Sequence, residues 1–171
     1  ANASLLDEGT AAAEALALAF SQAGKPGRKE RALVSDKCFP QTIEVVSARA
    51  EPLGIAVEVV DLSKIESFDD VFAIVLQYPD ADGIAEDFST IAANAKAAKA
   101  LTIVCTDLLA LTLFKSPGEL GADVAVGNAQ RLGVPMGFGG PHAAFFATRD
   151  AHKRKIPGRI IGVSKDRNGN P

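Results

Sequence analysis

Two cysteines and two histidines are all that the 171 residues offer to a soft metal or a disulfide framework. Cys38 and Cys105 lie 67 positions apart, and neither has a second Cys or His at metal-ligand spacing. A zinc site is therefore excluded as an expectation, and the two thiols read as a reduced, intracellular pair. Long apolar runs are missing as well. The longest, such as Val71 to Leu76, fall far short of the ~20 residues needed to span a bilayer, and no basic, apolar, small-residue leader opens the chain. No membrane partner is expected. Charge of one sign is also lacking: 18 basic residues against 21 acidic ones leave −3, and the densest basic stretch, Lys153 to Lys155, is short and has no interleaved aromatics. That argues against nucleic acid.

What is present is an ordinary globular composition, 47% hydrophobic and 23% charged, long enough for one domain with a substantial core. Thr10 to Gln22 is alanine-rich and helical, closed by Gly24 and Pro26. Ala32 to Ser35 reads as a strand, and Pro40 opens a helix with Ile43, Val46 and Ala50 on one face. Gly54 ends it, Ile55 to Val60 alternates weakly, and Val71 to Leu76 suits a strand buried on both faces. Phe88 to Lys99 is a further helix, and Leu101 to Thr106 a further strand. A Leu-rich turn from Leu108 to Leu113, the strand Asp123 to Val126, a glycine-rich loop from Gly133 to Gly140 and the strand His142 to Thr148 follow. The count is roughly six strands. Their alternation with helices predicts an α/β fold of three layers, α/β/α, around a mostly parallel sheet. Its ligand site is expected outside the strands' carboxyl ends, at Ser35, Tyr78, Asp107 and Gly127.

Three places could carry chemistry. Asp7-Glu8-Gly9-Thr10 opens a helix whose free N–H groups could receive a phosphate, although Asp7 or Thr10 acting as an ordinary cap is the better reading, by about two to one. Asp107, ending an apolar strand, could pair with a protonated ring nitrogen or a ribose hydroxyl, or equally cap the following turn. The run from Gly133 to His142 permits close backbone approach to a ligand or a neighbouring subunit, or is simply a demanding connection between strands. It does not match G-x-G-x-x-G, and no helix follows it, so a generic nucleotide-binding domain is disfavoured. Gly158 to Lys165 fails as a phosphate loop because Val163 and Ser164 separate the lysine from Gly162. His142 and His152 have no local triad, and neither cysteine has an activating neighbourhood.

The segment Asn2 to Ala15, with Leu5-Leu6-Asp7-Glu8-Gly9-Thr10, resembles the P-protein (glycine decarboxylase) family of the glycine cleavage system. Further matches follow in order at Pro40 to Ile43, Leu76 to Pro79, Thr106 to Thr112, Gln130 to Pro135, Gly139 to Ala144 and Pro157 to Ile160. Ser116, Leu120 and Leu132 depart from the family's usual residues in ways that touch packing more than chemistry. The resemblance implies the central part of the amino-terminal half of a longer chain, with the large-domain fold of fold-type-I pyridoxal-phosphate (PLP) transferases over residues 1–157 and the start of a connection over 158–171.

It further implies glycine decarboxylation with PLP and transfer of the aminomethyl group to the lipoyl arm of the H-protein. The implied partners are the carboxy-terminal half, within a homodimer or two-subunit assembly, the lipoylated H-protein and glycine. The implied compartment is the cytoplasm of a bacterium or, in a eukaryote, the mitochondrial matrix. In the family the cofactor's lysine belongs to the other half; Gln130 holds its place here, and none of the ten lysines does. An amide cannot make that covalent link. The resemblance therefore implies no catalytic residue in the segment and covalent PLP outside it. By the same resemblance Asp107 matches the aspartate that faces the pyridine nitrogen, as a relic, and Gly137, Gly139, Gly140 and His142 would form a loop facing the companion's cofactor phosphate. The rival reading is a non-catalytic half that completes an interface and a substrate tunnel.

Overall fold

The computed structural model describes residues 2–24, 29–157, 159–160 and 165–170. Eight strands among them form one sheet in the order β3-β2-β4-β5-β6-β7-β1-β8. These are β1 (Asn2–Leu5), β2 (Arg31–Ser35), β3 (Ala56–Val60), β4 (Val71–Tyr78), β5 (Leu101–Thr106), β6 (Val124–Asn128), β7 (Ala144–Thr148) and β8 (Arg159–Ile160). The four pairings from β3 through β6 are parallel and the three from β6 through β8 antiparallel. The sheet is thus mostly parallel, as its apolar runs require, but the expected six strands are eight. Asn2–Leu5 and Arg159–Ile160 owe their extended form to pairing across the chain, Ala3 lying opposite both Phe146 and Ile160. The stretch Gly158 to Lys165 and the helix-ending Pro26 fall largely outside the described residues.

Helices α1 (Glu8–Ala23) and α2 (Pro40–Ala50) cover one face, and α3 (Ser89–Ala97) packs on the other. α1 can lie close against the sheet because its buried stripe is made of small residues: Ala11, Ala12, Ala15 and Ala19 are fully buried beside Leu16. Phe20 closes that stripe with an edge-on contact to Phe72, ring centres 5.2 Å apart. α2 starts with Pro40 in its first turn, where a missing N–H costs nothing, and the chain leaves through Gly54 at φ +67°. β4 is buried along nearly its whole length, with Phe72, Ala73 and Val75 in the core on the α1 side and Val71, Ile74, Leu76 and Tyr78 in the other. On the α3 side Leu33, Ile74, Val104, Phe68 and Phe88 pack with Ala92 and Ala95. Cys38 and Cys105 are both free and buried in the core. Burial pushes the Cys38 thiol up to about 12 and the Cys105 thiol well above its ordinary value, so both are poor nucleophiles. No described helix is long and apolar enough to cross a membrane.

This layering puts the carboxyl ends of β4, β5, β6 and β1 at one rim, together with the amino terminus of α1.

Candidate functional site at the strand ends

Two neighbouring cavities open on that rim. One, of about 760 Å³, is lined by Glu8, Gln77, Asp107, Leu113, Asn128 and Arg131 among others. The second, of about 560 Å³, is lined by Asp7, Thr42, Gly140 and His142, and shares Glu8, Phe39, Asn128 and Gln130 with the first. The structure thus brings Asp107 into one cavity and Gly140 and His142 into the other. Gly137 and Gly139 line neither: at φ +28° and +105° they sit on the tip of the loop, with open space where a side chain would lie.

Several polar groups at the rim are engaged by the protein itself, whereas the buried Glu8 Oε1, Gln77 Oε1 and Thr106 Oγ1 have no hydrogen-bond partner among the described residues. Asp7 caps α1, one carboxylate oxygen accepting from the Thr10 amide at 2.8 Å and the other from the Thr10 hydroxyl at 2.8 Å. Capping is therefore what the Asp7–Thr10 segment does. Asp107 accepts from the Leu109 amide at 2.9 Å, turning the chain as it leaves β5, and its other oxygen is paired with the Arg131 guanidinium. Asn128 donates to Glu8 at 3.0 Å and accepts from the Gln130 amide at 3.1 Å.

Burial raises the Glu8 carboxyl above its ordinary value of 4.5, with the charges of Asp107 and Asp7 adding to the rise and the Asn128 hydrogen bond opposing it. A carboxyl held more protonated in the folded state stabilises that state below about 4.5, and the contribution is lost as pH rises through the folded-state value. Glu8→Gln is uncharged at every pH and still offers Asn128 an oxygen. It should raise the melting temperature of the full-length protein near pH ~8 and lose that advantage towards pH ~4.5. A gain of the same size at both pH values would sink the assignment.

The donor set does not fit PLP. No lysine lines either cavity, and Gln130, beyond the end of β6, has no amine to offer. The helix terminus that could receive a phosphate is filled by Asp7, with Glu8 beside it and Asp107 across the cavity. Three carboxylates against the single guanidinium of Arg131 would repel a phosphate dianion.

Asn128 lines both cavities and is not among the residues that the sequence singles out. Its signal, a polar amide at a strand's carboxyl end two positions before Gln130, is faint. Arg131 was visible only as part of a motif, because its partner Asp107 lies 24 residues away.

The glycine cleavage system P-protein family matches residues 1–171. The chain is 56% identical over 171 residues to the glycine dehydrogenase (decarboxylating) of Synechococcus sp. (strain CC9902), covering 100% of this chain and 18% of that protein. It is 53% identical over 169 residues to the mitochondrial glycine dehydrogenase (decarboxylating) of Dictyostelium discoideum, covering 99% and 17%. A crystal structure of glycine decarboxylase (P-protein) of the glycine cleavage system, in inhibitor-bound form, superposes with a TM-score of 0.84 at 37% identity, over 98% of this chain and 38% of that one. At 20% identity, the aspartate aminotransferase of Thermus thermophilus shares the fold, with a TM-score of 0.61 over 93% of this chain and 45% of that one. The chain spans less than a fifth of the length of the curated relatives, 17–18%. From end to end of these 171 residues, the chain belongs to the glycine cleavage system P-protein family.

Proposed function

We propose that this chain is a large-domain segment of a glycine dehydrogenase (decarboxylating) that lacks the cofactor's lysine, with residues 1–157 in that domain and 158–171 leading to the rest of the protein. The complete enzyme would release carbon dioxide from glycine and pass the aminomethyl group to the lipoyl arm of the H-protein. PLP, bound covalently in the companion half, supplies the electron sink. The compartment would follow the source: bacterial cytoplasm or mitochondrial matrix.

The observation that carries this reading is an apolar rim around the strand ends. Among the described residues, seven of the ten exposed large hydrophobics belong to it: Leu6, Leu109, Leu113, Phe114, Leu132, Met136 and Phe138. Leu113 is 85% exposed and Met136 79%. Apolar surface gathered at one end of a sheet suits a permanent partner, and the companion half is the partner the family offers. From this rim the loop Gly137 to His142 extends; the Gly140 N–H donates to the Gly137 carbonyl and Pro141 has none, which leaves the N–H groups of Gly137, Phe138, Gly139 and His142 for a phosphate of the companion's cofactor. The polar groups already engaged around Asp107 and Gln130 favour a segment that shapes and completes a site rather than one that bonds to substrate.

Borohydride reduction of the full-length holoenzyme, followed by peptide mapping, tests the assignment. The reduced cofactor should appear on one lysine outside residues 1–171. Stoichiometric label on any lysine within the segment would make it an active site in its own right.

A further inference from the structure

We propose that Asp107, Asn128, Gln130 and Arg131 form a positioning network that fixes how the loop from Gly133 to His142 leaves the sheet. The inference rests on the reading that this loop meets the companion half's cofactor.

Asn128 is the hub. It grips Glu8, the first residue of α1, with its amide nitrogen, and the Gln130 backbone with its oxygen, so the turn after β6 is tied to a helix anchored in the core. Arg131, one residue further, is tied through its guanidinium to Asp107 at the end of β5. The turn is thus held by α1, from one face of the sheet, and by the end of β5 beside it. The Gln130 carbonyl accepts from the Gly133 and Val134 amides at 3.2 and 3.1 Å, closing the outgoing stem. On the returning side, the Ala129 amide donates to Ala143 at 3.1 Å, and the Gln130 side chain reaches the Pro141 carbonyl at 3.5 Å.

Gly140 completes the fold-back. At φ +58°, it lies so close to the preceding chain that a Cβ would sit 2.6 Å from the Pro135 carbonyl oxygen. Both stems are therefore fixed while the tip, Gly137 to Gly139, projects with a fully exposed Phe138. The positions that match the family's cofactor aspartate and lysine are occupied by Asp107 and Gln130; Asp107 spends its oxygens on the Leu109 amide and on Arg131 in the turn before the loop, and the Gln130 amide nitrogen reaches the loop at Pro141.

The test uses the full-length holoenzyme carrying Arg131→Met, Asn128→Ala or Gly139→Val. Three quantities are read: the rate of cofactor release, the ³¹P resonance of the bound cofactor phosphate, and amide exchange over residues 133–142. Arg131→Met and Asn128→Ala should both loosen the loop amides, shift the resonance and speed release roughly ten- to a hundred-fold, as misplacement remote from the chemistry does. The charge exchange Asp107→Arg with Arg131→Asp should lose less than Asp107→Arg alone, since both give up the acceptor for the Leu109 amide and only the exchange restores the ion pair; a general loss of stability would show no such recovery. Should Arg131→Met fold poorly, Asp107→Asn, which keeps the oxygen facing the Leu109 amide, carries the same test. If Gly139→Val alone speeds release and the network variants leave all three quantities unchanged, the network is overturned and the loop reading stands. If the loop loosens in the network variants and neither they nor Gly139→Val affect the cofactor, the network stands and the reading that the loop meets the cofactor falls.

Discussion

Phe146→Ala should lower the free energy of opening of the sheet's antiparallel edge by about 3–5 kcal/mol. Phe146 is fully buried in β7, opposite Val126 of β6 on one side and Ala3 of β1 on the other, and beneath the alanine stripe of α1. Its neighbours are small and held by backbone ladders on both flanks, so they cannot move in to fill the space, and a cavity remains. Amide exchange in the full-length protein reads the loss locally. Peptides covering residues 2–5, 124–128 and 144–148 should exchange roughly a hundred- to several-thousand-fold faster, the ratio that such a loss implies. Phe145→Ala is the control, since that ring is only half-buried and lines an open cavity on the opposite face of the sheet. Equal acceleration by the two variants would show that β7 is not held by the ring of Phe146.

The parts of the fold that could be read from the sequence are those whose burial is local and complete. Val71 to Leu76 and Leu101 to Thr106 are continuous apolar runs, and a strand covered on both faces needs nothing else. β1 has no such signal. Asn2-Ala3-Ser4-Leu5 is half polar, and it is a strand because β7, about 140 residues later in the chain, offers it a ladder. β6 runs to Asn128, two residues past the last β-branched side chain, because its end is set by the bonds of Asn128 rather than by propensity. The site divides in the same way. Asp107 was visible as a strand-end carboxylate, and Asp7 as a cap. The pairing of Asp107 with Arg131, and the bridge from Glu8 through Asn128 to Gln130, join residues far apart in the chain. No spacing rule reaches them. What Gln130 lacks was legible only through the family resemblance, since a glutamine after a strand carries no chemistry of its own.

Gly127 ties the fold to the site, and Gly127→Ala should destabilise the β5–β6 pairing by about 3 kcal/mol, at the upper end of what overpacking costs. Its backbone lies so close to β5 that an added Cβ would meet the Thr106 carbonyl oxygen at 2.1 Å and the Phe145 ring at 2.8 Å. The ring can swing aside, but the carbonyl belongs to a strand buried in the sheet and can yield only by separating the strand ends. That separation falls between the residues that lead into Asp107 and into Asn128, so the spacing that lets Arg131 reach Asp107 is lost with it. Amide exchange should therefore accelerate at 103–106 and 124–128 and carry through to the loop over 133–142. Gly118→Ala, where no atom lies within 4 Å of the new carbon, should change exchange by no more than the ~0.5 kcal/mol typical of surface substitutions. Faster exchange in the two strands with an unchanged loop would mean that the loop takes its position from somewhere other than the gap between β5 and β6. Acceleration of all three together would identify the absence of one side chain, in the middle of the sheet, as the condition for the geometry at its rim.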